Sequence, residues 1–172
     1  AYGGAAGTQA AAILFGGFTP GVTANVEVWN GTSWTEVANL NTARYYHGGL
    51  GISTSALAFG GDVSPKGQTE LWNGSAWSEQ NDLNTVREGV AGSGTTSAGL
   101  GFGGTGQVTV TEDWNGASWT EIADLNTGRT DHTSSDTSST AALATGGAIA
   151  SGVTAATEEF SGSSVASEVL TD

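Results

Sequence analysis

Paired carboxylates are the first arrangement in this sequence that could do chemistry. Glu27, Glu70, Glu112 and Glu158 each stand two residues before an aromatic, and Glu36, Glu79 and Glu121 each stand two after a tryptophan. Two carboxylates held close together can move a proton or hold a calcium ion. An active site occurs once per fold, however, whereas these acids recur along the chain, with Arg44, Arg87 and Arg129 recurring in the same register. The expectation is structural: pairing within hairpins or ion pairs between repeated units, worth a few tenths of a kcal/mol to about 1 each.

The other reactive side chains lead the same way. His47 and His132 occupy matching positions with neither a cysteine nor a second histidine beside them, fewer donors than a metal site needs. The six tryptophans could stack on sugars, since indole offers a flat apolar face and a polar edge, but their even spacing suits packing between units. Asn30-Gly31-Thr32 and Asn73-Gly74-Ser75 match the glycosylation sequon, yet Asn115-Gly116-Ala117 breaks it and keeps the Asn-Gly pair, so turn chemistry explains the asparagines. Gly101-Phe102-Gly103-Gly104 opens no helix and has few cations near it, which argues against a phosphate loop. The residues therefore nominate no catalytic, cofactor or metal site.

What positions these residues is an internal repeat. Gly16-Gly17 returns as Gly60-Gly61, Gly103-Gly104 and Gly146-Gly147, every 43 or 44 residues. Trp29-Asn30-Gly31 returns as Trp72-Asn73-Gly74 and Trp114-Asn115-Gly116, and in weakened form as Phe160-Ser161-Gly162. A second tryptophan follows at Trp34, Trp77 and Trp119, with Val165 in that place in the last copy. Leu40-Asn41-Thr42, Leu83-Asn84-Thr85 and Leu125-Asn126-Thr127 close the first three units, and Leu170-Thr171-Asp172 takes the same place in the fourth. A fixed period of this length is the signature of stacked supersecondary units. The expected units are 1–43, 44–86, 87–129 and 130–172, the last degenerate.

Within one unit, Tyr46 to Ile52 is glycine-rich and short-sided, Ala56 to Phe59 alternates large with small, and Thr69 to Trp72 and Trp77 to Glu79 flank an Asn-Gly turn. Asn-Gly between β-like runs is a strong hairpin signal. Ile13 and Phe15, Leu57 and Phe59, and Leu100 and Phe102 share one bulky face, with Leu14, Ala58 and Gly101 on the other. A bulky face opposite a mostly thin one suits sheets stacked face to face. Four short strands per unit of about 43 residues make the blade of a β-propeller.

Composition narrows the partners. Seventeen acids against four bases give a net charge of −13, which disfavours nucleic acid or an anionic membrane. No apolar run is long enough to span a bilayer as a helix. With no cysteine there is no disulfide, and stability must come from strand pairing and burial. The start at Ala1, without an initiator methionine or signal peptide, leads us to expect a processed N-terminus or an excerpt of a longer chain.

These features resemble kelch repeats: Gly-Gly ending the second strand, an aromatic ending the third, tryptophan opening the fourth, and arginine with histidine three later opening the next. Arg44-Tyr45-Tyr46-His47 and Arg129-Thr130-Asp131-His132 carry the last feature, while Arg87 is followed at that distance by Val90. The aromatic-Asn-Gly hairpin followed by Thr-Glu and a Leu-Asn-Thr closure also looks like kelch-type arrays in structural proteins of bacteriophages and marine viruses. The resemblance implies an all-β array of four blades, each of four antiparallel strands. Kelch repeats share no catalytic residues, so it implies no enzyme and no cofactor. It implies a structural or recognition module on a virion or extracellular fibre, with neighbouring subunits, further repeats, surface glycans or other virion proteins as partners. Contacts are expected from the loops Phe18 to Asn25, Asp62 to Gln68, Thr105 to Thr109 and Ala148 to Ala156, which differ most between units. The rival readings are a carbohydrate-binding module and a glycoside-processing enzyme domain.

Overall fold

A computed structural model describes residues 1–135 and 138–161 of the chain. Among them there is no helix. The first sheet is the meander β1 (Gly4–Gly7), β2 (Ala12–Phe15), β3 (Val26–Trp29) and β4 (Trp34–Glu36), with every neighbour antiparallel. The second repeats it with β5 (Gly48–Ile52), β6 (Ser55–Phe59), β7 (Thr69–Trp72) and β8 (Trp77–Glu79). The third does so with β9 (Ala91–Thr95), β10 (Ala98–Phe102), β11 (Thr111–Trp114) and β12 (Trp119–Glu121). In the fourth, β13 (Thr133–Ser135) and β14 (Ala141–Thr145) come first. The loop that follows holds a small hairpin of β15 (Ala148–Ile149) and β16 (Gly152–Val153), and β17 (Thr157–Ser161) then returns beside β14. Val165 and the closing Leu170-Thr171-Asp172 lie outside the described residues.

The sheets stand as the four blades of a β-propeller. Inner strands β1, β5, β9 and β13 lie side by side in chain order and line an axial cavity of about 370 Å³ with Ala5, Gly49, Gly92 and Ser134 among its walls. Close approach at the axis explains the thin inner strands. A Cβ added to Gly92 would lie 2.6 Å from Cζ of Phe59 and 2.8 Å from the Gly49 carbonyl oxygen, a contact only glycine avoids.

The core is three inter-blade layers rather than one centre. The bulky face of blade 1, with Ile13, Phe15, Val26 and Leu40, packs on Ala56, Ala58, Trp72 and Trp77 of blade 2. Leu57, Phe59 and Leu83 of blade 2 meet Trp114 and Trp119 of blade 3. Leu100, Phe102 and Leu125 of blade 3 meet Ala142, Ala144 and Phe160 of blade 4. The thin residues exist to admit the aromatic from the blade before, since a Cβ on Gly101 would lie 2.9 Å from Cε2 of Phe59.

Each outer hairpin turns through Asn-Gly, with Trp29 directly opposite Trp34, Trp72 opposite Trp77 and Trp114 opposite Trp119. The asparagine side chain organises the loop: Oδ1 of Asn73 accepts from the backbone N–H groups of Ser75 and Ala76 at 2.9 and 3.0 Å. Gly31, Gly74 and Gly116 take φ of 91°, 94° and 94°, where any side chain is strained.

Candidate functional site

The buried acids form clamps between blades. Glu70 lies on β7 of blade 2, and its carboxylate reaches back to the closing loop of blade 1. Its oxygens accept from the N–H groups of Asn41 and Thr42 at 2.7 and 3.2 Å and from Nη2 of Arg44 at 2.7 Å. Glu112 repeats this with Asn84, Thr85 and Arg87, and Glu158 with Asn126, Thr127 and Arg129. Both members of each pair are buried. Burial pulls the Arg44 guanidinium below its ordinary value, with Glu70 opposing that shift. The recurring Glu and the Leu-Asn-Thr-x-Arg closure are thus two halves of one inter-blade device.

The structure decides between the two arrangements expected of these acids, in favour of clamps between units. These are not exposed ion pairs, and losing one member strands a charge or buried amides without water. Nor does hairpin pairing hold these acids: Glu70 stands directly opposite Glu79, and Glu112 opposite Glu121, like charges that repel. Glu36, Glu79 and Glu121 point to solvent. Glu27 is also exposed, and among the described residues no ion pair includes it.

The tryptophans divide in the same way. Trp72, Trp77, Trp114 and Trp119 are buried between blades, where Phe15 meets Trp77 at 5.2 Å and Phe59 meets Trp119 at 4.8 Å between ring centroids. The indole N–H of Trp72 donates to the Ser53 carbonyl and that of Trp114 to the Thr96 carbonyl, tying the outer hairpin to the inner turn. In blade 1, Trp34 is 43% exposed beside half-buried Trp29.

His47 is a packing residue at the junction of blades 1 and 2. Its Nε2 accepts from the Gly4 N–H at 3.1 Å, which requires the neutral ring. Burial, with the Arg44 charge adding to it, holds its pKa down to about 3. His132, tilted against Phe102 with ring centroids 5.6 Å apart, is held down to about 4 by burial and then by Arg129. Among the described residues no group of three or more acids and histidines could hold a metal ion.

The residues that sequence reasoning missed lie on the loop-bearing end of the propeller. The segments after Gly-Gly meet the segments after the arginine: Phe18 N–H donates to Ala1, Asp62 N–H to Tyr45 and Thr105 N–H to Glu88, at 2.8 to 2.9 Å. Phe18, Tyr45, Tyr46 and Tyr2 form a continuous aromatic run there, with centroids 5.5, 5.4 and 4.2 Å apart. Tyr2 and Phe18 are exposed by 54% and 42%. Tyr2 and Tyr46 have φ of 64° and 54°, strained for tyrosine, where blades 3 and 4 place Gly89 and Asp131. Their signal was available: Ala1-Tyr2 aligns with Tyr45-Tyr46 in the repeat.

Charges flank this run. The Tyr45 hydroxyl donates to Asp62 at 2.5 Å, and Lys66 bridges Asp62 at 2.7 Å and Glu88 at 2.6 Å. Lys66 and Tyr45 hold the Asp62 carboxyl well below the usual range, and the hydrogen bond to Asp62 raises the Tyr45 phenol. The neighbouring Tyr2 hydroxyl pushes Tyr46 up to about 12. The patch is therefore aromatic and acid-rimmed, with the Tyr45 and Tyr46 phenols held above their ordinary value. Such a surface can stack on and hydrogen-bond a ligand. A scan against protein-family models matches none, and a search of curated proteins finds no match, so fold and geometry carry the functional argument.

Proposed function

We propose that this propeller is a non-enzymatic structural and recognition module, of the kelch kind and similar to the arrays of bacteriophage and marine-virus structural proteins, working on a virion or extracellular fibre. One observation carries the reading: residues able to do chemistry at periodic positions are spent on holding blades together, while the unlike loops and the Phe18, Tyr45, Tyr46 and Tyr2 run share one end. Function on a rigid scaffold concentrates in such loops. In its working form the array completes its ring or fibre through neighbouring subunits or further repeats. The test is a screen of the purified protein on chromogenic glycosides, esters and phosphates, beside ultracentrifugation over a wide concentration range. Turnover above buffer on any substrate overturns the reading, and so does a monomer at every concentration.

A carbohydrate-binding module is the second reading, favoured by exposed Trp34 beside Trp29, with ring centroids 5.5 Å apart. A glycan array answers it: binding lost in Trp34→Ala or Tyr2→Ala and kept in Glu79→Gln supports it, and no bound glycan removes it.

A further inference from the structure

Each interior junction of the propeller follows one size rule. A phenylalanine at the end of the second strand of one blade shares its inter-blade layer with an alanine or glycine of the next: Phe15 with Ala58, Phe59 against Gly101, Phe102 with Ala144. The three small residues sit at the same repeat position, two before Gly-Gly, and the three phenylalanines one before it. Two positions of this series lie outside any junction between described blades, and both break the rule. The position of Ala58, Gly101 and Ala144 is Leu14 in blade 1, and the position of the phenylalanines is Thr145 in blade 4. One outer face has gained bulk where the other has lost it. Leu14 is 42% exposed and Thr145 half-buried.

The rest of the blade 1 face matches the faces that blades 2, 3 and 4 present to a preceding blade. Leu14 stands opposite Glu27 in the sheet, and Trp29 opposite Trp34. Glu27 holds the register of the clamp acids Glu70, Glu112 and Glu158, and Trp34 that of Trp77 and Trp119, which interior junctions cover with phenylalanine. On the blade 4 side, Thr145 stands opposite Thr157, the counterpart of Thr69 and Thr111, which interior junctions bury. Two faces of one interface type are thus present on one chain, neither covered by another described blade, with compensating changes in side-chain volume. Cores tolerate exchanges that conserve volume and resist those that do not.

From this we infer that the uncovered face of blade 1 is a docking surface for blade 4 of a second copy of this chain, with Thr145 of the incoming blade lying over Leu14. The inference rests on the reading that neighbouring subunits complete the array, and it names the surfaces and the size code they use. The contact joins unlike faces, so it is heterologous, propagating head to tail into a ring or a fibre. Interior junctions reject the same partner: Phe15 already covers Ala58, and Thr145 would leave a void over an alanine. Leu14 likewise turns away a phenylalanine-bearing blade, so the pairing selects blade 4 rather than blades 1 to 3.

A size-exchange cycle read by sedimentation equilibrium tests this. Both side chains are solvent-accessible, so each single variant folds, checked by its melting temperature. Leu14→Ala and Thr145→Phe should each weaken self-association by about tenfold, since a void or a clash replaces a matched pair. The double variant L14A/T145F restores the phenylalanine-over-alanine pair of the interior and should recover most of the affinity. Singles without effect, or a double variant weaker than either single, overturn the inference. A second measurement uses the chain's lack of cysteine. Leu14→Cys and Thr145→Cys proteins, mixed and treated with a short bismaleimide, should give a crosslinked dimer of one of each. Crosslinked homodimers of either variant, or a link within one chain of the L14C/T145C double variant, overturn it. Association that persists without a crosslink between the L14C and T145C proteins overturns this interface and leaves the oligomeric reading standing, whereas a monomer at all concentrations overturns both.

Discussion

Arg44, which opens the second unit, and Glu70 on β7 of that unit meet at 2.7 Å with both side chains buried, the arginine 2% and the glutamate 0% exposed. The same carboxylate makes the joint between blades, because Glu70 also takes the two backbone N–H groups that close blade 1. Glu70→Gln keeps the shape, removes the charge and leaves Arg44 uncompensated. It is expected to cost about 3–5 kcal/mol, read as a lower denaturant midpoint. Glu27→Gln and Glu79→Gln, at exposed positions, should stay within about 0.5 kcal/mol. Equal losses in all three would show that the clamp is not the source.

The outer turns give a second test. Gly31→Val and Gly74→Val place a β-branched residue at φ of 91° and 94°, where strain of about 1–3 kcal/mol is expected. Both melting temperatures should fall, and Gly21→Val should not follow, because no heavy atom lies within 4 Å of a Cβ there and its φ is not in the left-handed region. Unchanged melting of both turn variants would show that the glycines are dispensable.

Acid should weaken the fold in part through buried His47 and half-buried His132. His47 and His132 titrate in the folded protein at about 3 and about 4, below the ordinary value of 6.5. Below about pH 6.5 the unfolded chain binds protons that the folded one refuses, so stability is complete above that value and falls as pH drops. The slope approaches about 1.4 kcal/mol per pH unit for each histidine, until the folded pKa is reached. Urea midpoints at pH 7.0, 5.5 and 4.5 should converge between the wild-type chain and an H47Q/H132Q variant as pH falls. Parallel curves would remove the histidines from the acid response.

Packing against the inter-blade aromatics makes the fourth prediction. Gly101→Ala sets a methyl group 2.9 Å from the Phe59 ring and should cost about 1–3 kcal/mol by overpacking. The companion change F59L makes room and should recover part of it when combined. Additive losses would mean that the two positions do not share a junction.

The repeat, its strands and the sidedness of each blade are all written in the residue order. Strand pairing and Asn-Gly turns are local, so Thr69 to Trp72 and Trp77 to Glu79 were readable as a hairpin with its ends in place. The alternation of Leu57, Ala58 and Phe59 likewise announced a bulky and a thin face, since side chains alternate across a strand. What the recurring Glu did was settled in space: Glu70 accepts from the Asn41 N–H 29 residues back, a bond that forms only when one blade stacks on the next. Pattern alone left hairpin pairing and inter-blade pairing equally open. The same holds for Trp34 and Trp77, alike in sequence, one 43% exposed and the other buried under Phe15. Burial belongs to the neighbour a blade has, and no local pattern records that neighbour. The aromatic run from Phe18 to Tyr2 was hidden for a related reason, because its members come from two chain segments that backbone hydrogen bonds such as Phe18 N–H to Ala1 bring to one end of the propeller.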